Sequence, residues 1–137
     1  KLHGHNFFIH ASITTETNDN GIAFDYAIYK QKLRNICRSL NGHFLLAANS
    51  PYQTIEYTDD FVIVHFANEK LPFPKNDVLF LPLKNITVEE LSLWFIDQLT
   101  EDKTEIETYN IHRFLVKVYS APGQCGVAEW INPDKAI

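Results

Sequence analysis

Two histidines flank a glycine near the start of the chain, His3-Gly4-His5, and lead into the apolar stretch Phe7-Phe8-Ile9-His10-Ala11-Ser12-Ile13. That stretch reads as a β-strand, and on a strand residues i and i+2 leave the same face. His3 and His5 would then point the same way, about 7 Å apart at the backbone. One tetrahedral metal spans such a gap, because each imidazole reaches inward to a Zn–N bond of about 2 Å. Gly4 removes a side chain from the opposite face and lets another backbone approach. The plain alternative is a pair of exposed histidines. Two nitrogens also fall short of the roughly three ligands that a catalytic zinc site draws from its protein. A third donor is therefore expected elsewhere.

Holding such a pair requires a sheet, and the chain reads as a string of elements able to build one. The first strand is expected from Asn6 to Thr15, ending in the polar segment Glu16-Thr17-Asn18-Asp19-Asn20-Gly21. Asp25 is placed to cap a helix over 26–40, in which Ile28, Leu33, Ile36, Cys37 and Leu40 recur at helical spacing. Asn41-Gly42 makes a C-terminal stop. Residues 53–57 and 61–66 flank Thr58-Asp59-Asp60 as a hairpin, and Leu71-Pro72-Phe73-Pro74 reads as a connection to a short strand at 78–82. Thr87 with Glu90 has capping-box spacing ahead of a second helix through Leu99. Strands at 111–120 and 127–131, separated by Ala121-Pro122-Gly123-Gln124, close the chain. The order β-α-β-β-(β)-α-β-β predicts an α+β fold, an antiparallel sheet with two helices packed on one face. Open sheet edges favour assembly of several copies.

Composition bounds the function. With 137 residues, 45% hydrophobic and 13% aromatic, the chain is expected to be a single domain, 1–137, with a substantial core. A formal net charge of -5 gives no electrostatic reason for a nucleic-acid or membrane-surface partner. No apolar run approaches the length of a transmembrane helix. Cys37 and Cys125 are too few and too far apart for a disulfide framework, and Cys37, within a helical pattern, is expected as a buried reduced thiol. The cytoplasm is the default compartment. The chain contains no methionine and opens inside a strand. An N-terminal segment, including one strand, is accordingly expected upstream of Lys1.

Five segments in order resemble the 6-pyruvoyl- and 6-carboxy-tetrahydropterin synthase family, which has the tunnelling fold. Leu2-His3-Gly4-His5-Asn6-Phe7 is similar to the family's LHGHNY strand, and Gly21-Ile22-Ala23-Phe24-Asp25-Tyr26 to its G-(M/I)-V-x-D-F segment. Leu40-Asn41-Gly42-His43-Phe44-Leu45-Leu46 sits where the family has L-D-H-x-x-L. Asn85-Ile86-Thr87-Val88-Glu89 resembles its P/S-T-A-E helix start, and Val118-Tyr119-Ser120-Ala121-Pro122-Gly123 its V-x-E-(S/T)-P-G. The longer insert from about Pro51 to Pro82 resembles a prokaryotic or archaeal branch.

The resemblance implies a zinc-dependent lyase acting on 7,8-dihydroneopterin triphosphate to give 6-carboxy- or 6-pyruvoyl-tetrahydropterin. It implies Zn2+ held by His3, His5 and a third histidine upstream, with a catalytic cysteine also upstream. His43 would move protons, and Thr87 and Glu89 would line the substrate pocket, although both also read as helix-cap and dipole residues. Homo-oligomerisation as a trimer or hexamer, the sheets joined in a β-barrel with sites at subunit interfaces, is likewise implied. Gly42 and Ser120 depart from the pattern, standing where the family has carboxylates. They motivate a second reading: a diverged paralogue that keeps the fold, binds zinc or another heterocycle, and lacks the pterin chemistry. His10, His65 and His112 have no motif support, and Cys125 matches no family cysteine.

Overall fold

The computed structural model describes residues 5–16 and 25–135. In chain order the elements are β1 (Phe8–Thr15), α1 (Ala27–Leu40), β2 (Phe44–Ala47), β3 (Gln53–Tyr57), β4 (Phe61–Phe66), β5 (Glu69–Pro74), a 3-10 turn (Lys75–Asp77), β6 (Val78–Leu81), α2 (Val88–Thr100), α3 (Lys103–Thr108), β7 (Ile111–Ala121) and β8 (Gln124–Ile131). They fall into two compact units. One comprises the described residues of Lys1–Lys32 and Thr87–Ile137, the other Leu33–Ile86.

The first unit is an antiparallel sheet in the order β1-β7-β8 with helices on one face. Strand alternation sends Phe114, Val116 and Val118 of β7 inward, where they are fully buried. Helical spacing brings Leu91, Phe95 and Leu99 of α2 to one buried stripe packed on β7 and β8. Thr87 caps α2, its hydroxyl oxygen accepting from the Glu90 amide at 3.1 Å. Asp102 caps α3 in the same way, accepting from the Glu105 amide at 3.1 Å. The first turn of α1 docks through Tyr29, which is 1% exposed and stacks edge-on against Phe114 at 5.2 Å between ring centres. Lys32, one turn on, reaches Glu105 at 2.9 Å and lies 5.6 Å from the Tyr29 ring centre. Burial, reinforced by the Glu105 carboxylate, pushes the Tyr29 phenol far above its ordinary value and keeps it neutral.

The second unit contains a parallel pair, β2 with β6, and an antiparallel meander in the order β3-β4-β5. Val62, Ile63 and Val64 of the central strand are all buried. The hairpin turn closes by Thr58 N–H to the Phe61 carbonyl at 2.9 Å and Phe61 N–H to the Thr58 hydroxyl at 3.0 Å.

The α+β, antiparallel expectation holds, with several local differences. Leu71-Pro72-Phe73-Pro74 is part of strand β5 rather than a connection. Proline is tolerated there because β5 is an edge strand and needs no donor on its outer side. Residues 44–47 form a strand that pairs in parallel with β6, Phe44 lying opposite Val78, so the two are joined by a long crossover connection. Helix α3 is too short for its periodicity to be read. Strand β1 starts at Phe8, two residues later than expected, and β8 starts at Gln124, three residues earlier.

Phe114 is held between Tyr29 and Trp130, whose ring centre is 5.9 Å away. Phe114→Ala is expected to lower unfolding free energy by about 3–5 kcal/mol. Urea denaturation followed by far-UV circular dichroism measures it, and a loss under about 1 kcal/mol would mean that the core collapses around the gap.

Candidate functional site at one end of the sheet

Strand register brings Phe8, Tyr119 and Cys125, with the β7–β8 turn, to one end of the first unit's sheet. Phe8 pairs with Tyr119, and Tyr119 pairs with Cys125. Pro122 and Gly123 make the tight turn between β7 and β8, and Gly123 has φ +80, the left-handed value that the third residue of such a turn demands. The register slips between Tyr119 and Ala121, so Ser120 is an extra, bulged residue. Bulges re-aim side chains. Here the Ser120 hydroxyl donates to the Gln124 side-chain oxygen at 3.2 Å. Phe8, Tyr119, Ala121 and Pro122 line a shallow apolar hollow of about 260 Å³ beside this pair.

The start of α2 is fixed to the same end by Gly126. A Cβ there would lie 2.3 Å from the Val88 carbonyl carbon and oxygen and 2.5 Å from the Glu89 nitrogen. Only a residue without a side chain lets the helix backbone come this close. Thr87 is half-buried and Glu89 exposed at this terminus, and the buried Ser92 hydroxyl ties the turn by donating to the Glu89 carbonyl at 2.7 Å. A helix N-terminus carries partial positive charge and unpaired amides suited to an anion.

His5 precedes β1 in the chain and is exposed, its ring centre 6.5 Å from that of Phe7. His3 lies outside the described residues. Among the described residues no group of three His, Cys, Asp or Glu side chains is arranged to hold a metal. Imidazole nitrogens suit zinc, so His3 and His5 together match its chemistry as a partial set, one donor short. The other histidines have local partners: His65 lies 3.4 Å from Glu56 and His112 3.5 Å from Glu16, while His10 is exposed opposite Lys117. Glu129 does not stand beside Ser120. It pairs with Leu115, further along β7, and binds Arg113 at 2.5 Å.

His43 belongs to the second unit. It is exposed, and follows a turn in which Gly42 has φ +78. Its Nδ1 lies 3.1 Å from the Asn41 carbonyl oxygen. A carbonyl oxygen can only accept, so Nδ1 carries the proton and Nε2 is left as the basic nitrogen of the neutral ring. A backbone carbonyl thus sets the tautomer where a carboxylate was looked for. Cys37 is half-buried, and burial raises its thiol above the ordinary value of 9.0, which keeps it protonated and unreactive. Gln124, Gly126 and the Asn41 carbonyl were missed from the sequence. A glycine inside a strand pattern is a signal of close approach, but Gly126 fell between the expected turn at 121–124 and the strand expected from Val127.

The family described as "6-pyruvoyl tetrahydropterin synthase" matches residues 1–129. A protein of Methanocaldococcus jannaschii, provisionally named 6-carboxy-5,6,7,8-tetrahydropterin synthase, is 24% identical over 124 residues, covering 90% of this chain and 76% of that protein. One of the same provisional name from Pyrococcus horikoshii is 25% identical over 122 residues, covering 89% and 70%. Among solved structures, a catalytic-residue mutant of Plasmodium vivax 6-pyruvoyltetrahydropterin synthase superposes with a TM-score of 0.91 at 28% identity, over 96% of this chain and 83% of that one. The Plasmodium falciparum 6-pyruvoyl tetrahydropterin synthase superposes at 0.90 and 27%, with the same coverage.

Gly126→Ala is expected to cost about 1–3 kcal/mol, because the added methyl meets backbone that cannot rotate away. Asp97→Ala, at an exposed position of α2, should change stability by less than about 0.5 kcal/mol. Equal urea midpoints for the two variants would show that the close approach is not a constraint.

Proposed function

Because the chain belongs to the 6-pyruvoyl tetrahydropterin synthase family, we propose that it is a pterin synthase-type lyase. Its substrate is 7,8-dihydroneopterin triphosphate and its product 6-carboxy- or 6-pyruvoyl-tetrahydropterin. The sheet end is the observation that carries the reading. The α2 terminus, which Gly126 holds against the sheet, suits a charged group of the ligand, and the hollow at Phe8 and Tyr119, on the other face of the same sheet end, has room for a flat ring.

His3 and His5 would hold Zn2+, with the remaining donor outside the described residues. Zinc bound there supplies Lewis-acid polarisation of the substrate's side-chain oxygens. His43 Nε2 accepts a proton from the substrate side chain and returns it, with Nδ1–H held on the Asn41 carbonyl throughout. Thr87 fixes the α2 terminus through its cap, so its contribution to binding is through the amides it orders. Glu89, exposed on the first turn, is placed to accept from donors on the heterocycle.

Assembly follows from the other face of the first sheet. Phe8, Val127 and Ile131 are 63%, 53% and 55% exposed there, apolar side chains on a face that carries no helix. A homo-oligomer, trimer or hexamer, joining sheets into a barrel would cover them. Among the described residues no helix is long and apolar enough to cross a membrane, and we place the enzyme in the cytoplasm.

Ser120 favours a second reading. It offers a neutral hydroxyl bonded to Gln124 at the hairpin tip, which suits a heterocycle lacking the cationic or guanidine-like edge that a carboxylate would bind.

Release of inorganic triphosphate from 7,8-dihydroneopterin triphosphate by the zinc-loaded protein tests the proposal. Turnover is expected, falling about 10²–10⁴-fold in His43→Ala, while His5→Ala loses zinc by elemental analysis together with activity. Binding of the pterin without turnover would support the second reading. Neither turnover nor binding would sink both pterin readings.

A further inference from the structure

The turn that presents His43 also brings together the requirements for a reaction of the chain with itself. Asn41 and Gly42 are both exposed. Gly42 has open space around it, with nothing within 4 Å of where a Cβ would sit. The amides on either side are engaged, Asn41 N–H with the Cys37 carbonyl at 2.9 Å and His43 N–H with the Leu40 carbonyl at 3.4 Å. Among the described residues no backbone bond takes up the Gly42 N–H. His43 Nδ1–H donates to the Asn41 carbonyl oxygen. That bond withdraws electron density from the Asn41–Gly42 peptide and makes its N–H more acidic.

We propose that Asn41-Gly42 is a self-modification site, at which Asn41 is converted to aspartate or isoaspartate beside His43. The Gly42 nitrogen gives up its proton to solvent base and forms a bond to Asn41 Cγ. The Cγ–Nδ2 bond breaks, and the amide nitrogen takes up a proton and leaves as ammonia. Water then opens the five-membered imide at either carbonyl. The balance is one amide and one water to one carboxylic acid and one ammonia, with no oxidant or reductant. Glycine at the attacking position removes the side chain that would otherwise crowd the approach.

Asn49, also in the second unit, lacks these conditions. It is followed by Ser50, which has a side chain and whose N–H is directed to the Ala47 carbonyl at 3.4 Å. In the first unit Asn132 is buried and precedes Pro133, which has no N–H to attack.

The consequence is local. The product is a negative charge two residues before His43, where the native turn has none. In the isoaspartate product the backbone also lengthens by a methylene, which disturbs the Asn41 carbonyl that holds Nδ1–H.

Ageing of the full chain at mildly alkaline pH, followed by tryptic digestion and fragment-resolved mass spectrometry, tests this. Asn41 and Asn49 lie on the same tryptic peptide, residues 39–70, so each serves as reference for the other. Asn41 is expected to lose its amide several-fold faster than Asn49, with a rate that rises with pH and an isoaspartate fraction among the products. Gly42→Ala should slow Asn41 to the level of Asn49. An Asn41 that stays intact, or is no faster than Asn49 in the native chain, overturns the proposal. The mass change does not depend on turnover, so its failure and that of the pterin reading are separate results.

Discussion

One close approach determines the rest of the site: the backbone at the start of α2 lies against Gly126 of β8, where any side chain would overlap it. Three consequences follow from that contact. Helix α2 is held to the sheet at its N-terminal end, while Leu91, Phe95 and Leu99 secure its length. The Thr87 cap and the amides it orders are brought beside the β7–β8 hairpin. The strand bearing Phe8, by pairing with Tyr119, completes the same sheet end. Hydrophobic burial fixes where the helix lies, whereas the missing side chain fixes how close its terminus can come.

Polar groups at the two candidate positions are managed by neutral amide groups rather than by carboxylates. His43 obtains its tautomer from the Asn41 carbonyl, and Ser120 is met by the Gln124 amide side chain. Neutral partners of this kind orient a group without placing a negative charge beside it. Elsewhere in the first unit charge is used structurally: Lys32 and Glu105 pair alongside the buried Tyr29 phenol, fastening the first turn of α1 to α3.

Much of this was legible in the sequence because its signals are local. Asp25 accepts from the Ala27 amide at 2.9 Å, Thr87 caps α2, and Asn41-Gly42 ends α1, each at the position its residue type suggests. The hairpin around Thr58-Asp59-Asp60 and the final antiparallel pair also followed from alternation and turn residues. What escaped was non-local. Parallel pairing of β2 with β6 joins segments far apart in the chain, and no dipeptide announces it. The bulge at Ser120 is a matter of register between two strands, and the role of Gly126 depends on a helix that starts almost forty residues earlier by the spacing of the chain. The expected metal pair divides in the same way: His5 precedes β1, and His3 lies outside the described residues.

The central claim is that recognition takes place at the sheet end that Gly126 organises. Amide hydrogen exchange of the zinc-loaded protein, with and without saturating 7,8-dihydroneopterin triphosphate, tests it most directly. The account predicts added protection at the α2 terminus, residues 88–90, and in the hairpin segment 119–126, with the meander of the second unit unchanged. Ligand binding that leaves both segments unprotected, or that protects the meander instead, would contradict it.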